Sequence, residues 1–169
     1  NIFGLKPNFG CCAANMHQGW PKLLGSILMQ HPRGILAAVY APCSVTISVG
    51  GTTIRLTEET AYPFDENISL TFNEINNTAK SLEFSLFLRI PAWAATFELQ
   101  LNGEPQSATP IEGFVELHRT FHKGDRIQLR LPMPLRIQKE AEGGVTLHRG
   151  PLLLALPINA ERRIVRGTP

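Results

Sequence analysis

The sequence predicts a mainly β fold, an antiparallel β-sandwich preceded by one helix, and three observations carry that expectation. Beyond Gly34, apolar residues recur at every second position over many short segments, the period of a half-buried strand. Gly, Pro and Asn punctuate those segments at regular spacing, as they do in sandwiches of about ten strands. Ahead of Gly34, apolar residues recur instead at spacings of three and four, the helix period.

In chain order, residues 1 to 10 hold Gly4, Pro7 and Gly10 and read as a loop. From about Cys12 to Met29, the residues Met16, Trp20, Leu23, Leu24, Ile27 and Leu28 keep helical spacing, with Pro21 marking a start or a bend. The run His31-Pro32-Arg33-Gly34 stops it. Next, Val45, Ile47 and Val49 alternate with Thr46 and Ser48, and Gly50-Gly51 predicts a two-residue hairpin into Thr52–Leu56. Ile68, Leu70 and Phe72 form the following strand. The clearest strand places Leu82, Phe84, Leu86, Leu88 and Ile90 on one face and Glu83, Ser85 and Arg89 on the other. Phe97, Leu99 and Leu101 lead to the turn Asn102-Gly103, Val115 and Leu117 to the turn Lys123-Gly124-Asp125, and Ile127, Leu129 and Leu131 follow. Late strands are expected at Leu135 to Lys139, Val145 to His148 and Leu152 to Leu156.

Composition narrows the function classes. The chain has 169 residues, enough to bury a core, and its 43% hydrophobic and 18% charged content fits a globular protein rather than a disordered one. The net charge is +2 with Lys and Arg scattered, so no basic footprint for nucleic acid is present. No apolar stretch approaches the roughly 20 residues that cross a bilayer. The tripeptides Asn67-Ile68-Ser69 and Asn76-Asn77-Thr78 match glycosylation acceptors, a pattern common by chance.

Chemistry concentrates at Cys11-Cys12, two of only three cysteines. Adjacent cysteines rarely bond to each other, because the small ring strains the peptide between them. Their thiolates can converge on one soft cation such as zinc, and a helix start would favour the thiolate as ligand or nucleophile. The alternative is a pair of small core residues. His17, Gln18 and Trp20 lie about one helical turn further on and offer hydrogen-bonding groups and an aromatic stacking surface to a ligand; the more ordinary reading of Trp20 is that it packs into a core. Cys43 reads as a small buried hydrophobe. Trp93 is expected to plug the sandwich end or an interface with a neighbouring domain, and the Glu58-Glu59 and Asp65-Glu66 carboxylates to lie exposed on strand edges and turns. His118, His122 and His148 are too scattered to form a metal site by spacing.

Several spaced motifs resemble one family. Gly10-Cys11-Cys12-x-x-Asn15 and the flanking run to Lys22 are followed by Glu58–Asp65 (EETAYPFD), Leu88–Ala94 (LRIPAWA), Leu101–Pro105 (LNGEP), Leu131–Pro134 (LPMP) and Leu147–Leu152 (LHRGPL). In this order they resemble the β-L-arabinofuranosidases of glycoside hydrolase families 127 and 146 and their relatives, over nearly the whole chain to about Pro157. The chain departs from the common Cys-Cys-Pro-Pro-Asn in carrying Ala13-Ala14.

The resemblance implies an (α/α)6-barrel catalytic domain followed by β-sandwich domains, and cleavage of a glycan, such as an L-arabinofuranoside, with retention. It implies Cys11 as nucleophile and zinc ligand and Cys12 as a second zinc ligand. The other ligands, a glutamate and a cysteine, and the glutamate acid/base would belong to barrel sequence upstream of Asn1. The expected division is therefore 1–33 as the end of the barrel domain, 34–158 as the β-sandwich and 159–169 as a stub. The fragment alone is expected to be inactive and to hold zinc weakly or not at all; the alternative function is that of a non-catalytic β-sandwich module, a structural buttress or a carbohydrate-binding one. Its helix, deprived of packing partners, is expected to leave an apolar face that could support self-association.

Overall fold

The computed structural model describes residues 15–141 and 143–160. The chain forms two compact units, Asn1–Pro132 and Met133–Pro169.

The first unit begins with a 3-10 turn, Met16–Gln18, that runs into a short helix, α1 (Gly19–Leu24). Pro21 sits in its first turn, where its missing N–H costs nothing. The helix is shorter than the apolar spacing predicts. Gly25 donates its N–H to the Pro21 carbonyl at 3.0 Å, the Ser26 hydroxyl donates to the Lys22 carbonyl at 2.8 Å, and the ladder ends there. Ile27 and Leu28, which keep helical spacing, instead enter the sandwich core at 1% and 6% exposure. Burial of two large apolar side chains outweighs one further helical turn.

Among the described residues, thirteen strands follow: β1 (Leu28–His31), β2 (Gly34–Ala37), β3 (Cys43–Val49), β4 (Thr52–Thr60), β5 (Asn67–Asn76), β6 (Ser81–Arg89), β7 (Glu98–Leu101), β8 (Glu104–Pro105), β9 (Phe114–His122), β10 (Arg126–Arg130), β11 (Leu135–Lys139), β12 (Val145–Arg149) and β13 (Leu152–Leu154). In the first unit, a four-stranded sheet ordered β1-β2-β6-β9 faces a six-stranded sheet ordered β3-β4-β5-β10-β7-β8. Pairing is antiparallel except between β2 and β6, which run parallel. The hairpin glycines fall where the alternation places them: Val49 pairs with Thr52 across Gly50-Gly51, whose φ values of 55° and 80° fit a two-residue turn.

The two sheets bury Ile54, Leu56, Leu70 and Phe72 from one side and Leu86, Leu88 and Phe121 from the other. Phe121 joins them, its ring 4.7 Å from those of both Phe72 and Phe84. Strand β6 departs from the expected two-faced pattern, because Ser85 and Phe87 on its outer side are also buried. His31 lies 4.3 Å from the Phe87 ring and the Arg33 guanidinium 4.9 Å above it, so the β1–β2 hairpin roofs that face.

The second unit carries β11, β12 and β13 as a three-stranded antiparallel sheet, with the expected late strands in place. Leu135, Ile137, Val145 and Leu154 are exposed on it.

Candidate functional site

Cys11 and Cys12 lie outside the described residues. Of the other residues singled out from sequence, His17 and Gln18 are exposed in the 3-10 turn and Trp20 is exposed on α1. Gln18 Nε2 donates to Asn15 Oδ1 at 2.8 Å, which fixes the turn. The Trp20 ring is 72% exposed, beside similarly open Met16 and Leu24. Among the described residues, no group of three or more His, Cys, Asp and Glu side chains converges on a point that could hold a metal ion.

One carboxylate overturns the expectation of exposure. Glu59 is exposed, but Glu58 is only 1% exposed. Its Oε1 accepts the Ala41 backbone N–H at 2.8 Å, while Oε2 is sealed from solvent and has no hydrogen-bond partner among the described residues. Burial pushes the Glu58 carboxyl up to about 8, against the smaller opposing pull of the Ala41 N–H. Burial and then the neighbouring Glu58 raise both the Tyr40 phenol and the Cys43 thiol. Tyr40 donates its hydroxyl proton to the Arg89 carbonyl at 2.7 Å, and Trp93, partly buried, packs against the core. A sequence signal for Glu58 existed: it continues the period-two row Ile54-Leu56-Glu58 on the core face of β4. Sealed in this way, Glu58 can store a proton but cannot reach a substrate.

A second cluster has the composition of a hydrolytic triad. Ser85 Oγ lies 3.0 Å from His118 Nδ1, and His118 Nε2 lies 3.4 Å from Glu83 Oε1. The nucleophile role fails on geometry. Ser85 is 1% exposed, and its hydroxyl donates its single proton to Glu116 Oε1 at 2.6 Å. Glu116 also takes Arg33 Nη1 at 2.8 Å, so the cluster ties the β1–β2 hairpin to β6 and β9. The Ser85 hydroxyl, ahead of the Arg33 charge, holds the Glu116 carboxyl below the usual carboxylate range.

The outer face of the six-stranded sheet holds an open groove of about 430 Å³. Its floor is a cross-strand row in which Glu59 pairs with Ser69, Ser69 with Gln128, and Gln128 with Gln100. Arg130 closes one side, donating to Glu98 at 2.7 Å and to Glu66 at 3.1 Å. Arg126 Nε donates to the buried Ser69 hydroxyl at 2.7 Å.

Comparison with known proteins places this architecture. Residues 34–133 match the family model described as β-L-arabinofuranosidase, GH127 middle domain. Among solved structures, the chain is similar to a GH127 β-L-arabinofuranosidase from Geobacillus stearothermophilus T6, at 27% identity and a TM-score of 0.77, covering 85% of this chain and 23% of that one. It is similar to a glycoside hydrolase at 28% identity and a TM-score of 0.76, covering 86% and 25%. A GH127 β-arabinofuranosidase at 24% identity shares the fold with a TM-score of 0.78, covering 88% and 26%. The chain thus spans about a quarter of the length of the solved structures it matches. None of the curated proteins matches it.

Proposed function

Because the chain belongs to the family of the β-L-arabinofuranosidase GH127 middle domain, we propose that it is part of a retaining glycoside hydrolase acting on L-arabinofuranosides through a zinc-held cysteine nucleophile. The observation that supports this reading is the family match over residues 34–133, with the pair Cys11-Cys12 shortly before it in the chain.

The donor set suits the metal. Two thiols are soft ligands that supply half of a four-coordinate zinc shell. The remaining ligands and the acid/base would come from parts of the parent outside this chain. Bound zinc would keep the thiolate formed at neutral pH. In this reading, the Cys11 sulfur bonds to the anomeric carbon as the glycosidic oxygen leaves with a proton, and water later releases the sugar with overall retention. His17, Gln18 and Trp20, exposed at the start of the described chain, are the candidates for contact with the sugar.

The sandwich acts in this proposal as a buttress for the catalytic domain. Exposed Met16, Leu23 and Leu24 form the surface that the rest of the parent, or a second copy, would cover. In this proposal Cys11 and Cys12 supply two of the four zinc ligands, so the chain alone is expected to bind zinc weakly and to release no sugar. The test uses the full-length parent with Cys11→Ala, measuring zinc content and release of aryl L-arabinofuranosides. Lost release with lowered zinc supports the assignment, and full activity removes it.

A further inference from the structure

We propose that the groove on the outer face of the six-stranded sheet is a binding site for an uncharged oligosaccharide, separate from the cysteine pair. The proposal does not rest on the hydrolase reading, since it is built from β4, β5, β7 and β10 alone.

Three features of the groove point to this ligand. The first is its chemistry. The floor presents the amides of Gln128 and Gln100, directly opposed on β10 and β7, in line with the Glu59 carboxylate on β4. Each amide offers both donors and acceptors and the carboxylate only acceptors, which together suit the hydroxyl groups of a sugar, themselves donor and acceptor at once. None of these three side chains hydrogen-bonds or ion-pairs with another described residue, so their hydrogen-bonding capacity is left for a ligand.

The second feature is rigidity. Strand pairing on both sides of β10 fixes the row, and the guanidinium groups are already engaged. Arg130 is held by Glu66 and Glu98, and Arg126 by Ser69, which is only 8% exposed. Strand backbone and guanidinium groups held before binding lose less entropy on binding.

The third feature is charge and size. Arg130 is offset by its two carboxylate partners, and Arg126 stands in a groove that also holds Glu59 and Asp65, so positive charge does not dominate and an anionic polymer gains little. The four strands of the row span about 14 Å at about 4.8 Å per strand, and the volume of about 430 Å³ falls in the range of ligand sites. No aromatic side chain lines the groove, so affinity comes from hydrogen bonds and falls in the millimolar range, about −4 kcal/mol.

The experiment is an NMR titration of the isotope-labelled chain with arabino-, xylo- and malto-oligosaccharides, and with polygalacturonate as the anionic probe. The proposal expects saturable shifts of the Gln100 and Gln128 side-chain amides with at least one neutral oligosaccharide, unchanged by added salt. Gln100→Ala and Gln128→Ala should each weaken that binding by about three- to tenfold. Both residues are outside the core, and Gln128→Glu, which keeps size and shape, repeats the test if an alanine variant loses its folded spectrum. The proposal is overturned if no neutral oligosaccharide moves these amides, if the variants bind as well as the parent chain, or if only polygalacturonate binds and salt abolishes it.

Discussion

Glu58 Oε1 accepts the Ala41 N–H at 2.8 Å, so a buried carboxyl on β4 tethers the segment that carries the chain from the four-stranded sheet to the six-stranded one. The tether has a pH signature. Unfolded, this carboxyl titrates at about 4.3, whereas folded it titrates at about 8. Below the unfolded value both states hold the proton and Glu58 costs nothing. As pH rises from there, the unfolded state releases its proton while the folded state keeps it, so stability falls until the folded carboxyl ionises near 8. The slope from this group is at most about 1.4 kcal/mol per pH unit. Glu58→Gln retains an acceptor for Ala41 and cannot ionise. Denaturant unfolding of both proteins from pH 5 to pH 8 should show the variant gaining on the parent chain as pH rises, with little difference at the acid end. A constant difference across that range would refute the assignment.

Glu116 titrates in the opposite sense. Its folded carboxyl is held low, first by the Ser85 hydroxyl and then by Arg33. Its contribution is therefore present above the ordinary carboxylate range and is lost as pH falls through the lowered value. Ser85→Ala removes the 2.6 Å hydrogen bond and should cost about 1–2 kcal/mol near neutral pH. The Glu116 side-chain carbonyl resonance, followed through an acid titration, should move its midpoint upward in the variant. An unmoved midpoint would show that Arg33 alone sets it.

Strands and tight turns were legible because each is a local pattern. Alternation marked β3, β4 and β10, and Gly50-Gly51 and Asn102-Gly103 both take the positive φ values their two-residue turns need. The end of α1 was not legible, since Ile27 and Leu28 keep helical spacing and only burial between distant strands sends them elsewhere. Glu58 was half legible: its phase on β4 pointed inward, but its charge argued outward, and the phase prevailed. The polar groove was invisible, because Glu59, Ser69, Gln100 and Gln128 meet only through cross-strand register. The family motifs pointed to the cysteine pair, but Cys11 and Cys12 lie outside the described residues.

Cys43 gives a prediction that separates it from the other two thiols. Burial, then the neighbouring Glu58, raises its pKa, so less thiolate is available to an electrophile at a given pH. Iodoacetamide at pH 8 should alkylate Cys43 more slowly in the folded chain than in denaturant, as read by peptide mass. In Glu58→Gln, the folded-state rate above pH 8 should rise, because the nearby negative charge is gone. Equal rates in the folded and unfolded chain would contradict the raised thiol pKa.

Gly34 tests how closely β2 and β6 must approach. Its φ of 149° lies in a region that side chains rarely adopt, and a Cβ there would collide with the Ser85 carbonyl oxygen and press on the Phe84 ring at 2.9 Å. Neither neighbour can yield easily. Ser85 donates its own N–H to the Arg33 carbonyl at 2.8 Å, and the Phe84 ring is packed 4.7 Å from Phe121. Backbone strain and overpacking therefore add in Gly34→Ala, which should destabilise the first unit by about 2–4 kcal/mol. Phe121→Ala, which empties the same region instead of crowding it, should cost about 3–5 kcal/mol. Urea unfolding measures both. A Gly34→Ala chain as stable as the parent would mean that β2 and β6 pair more loosely than their register requires.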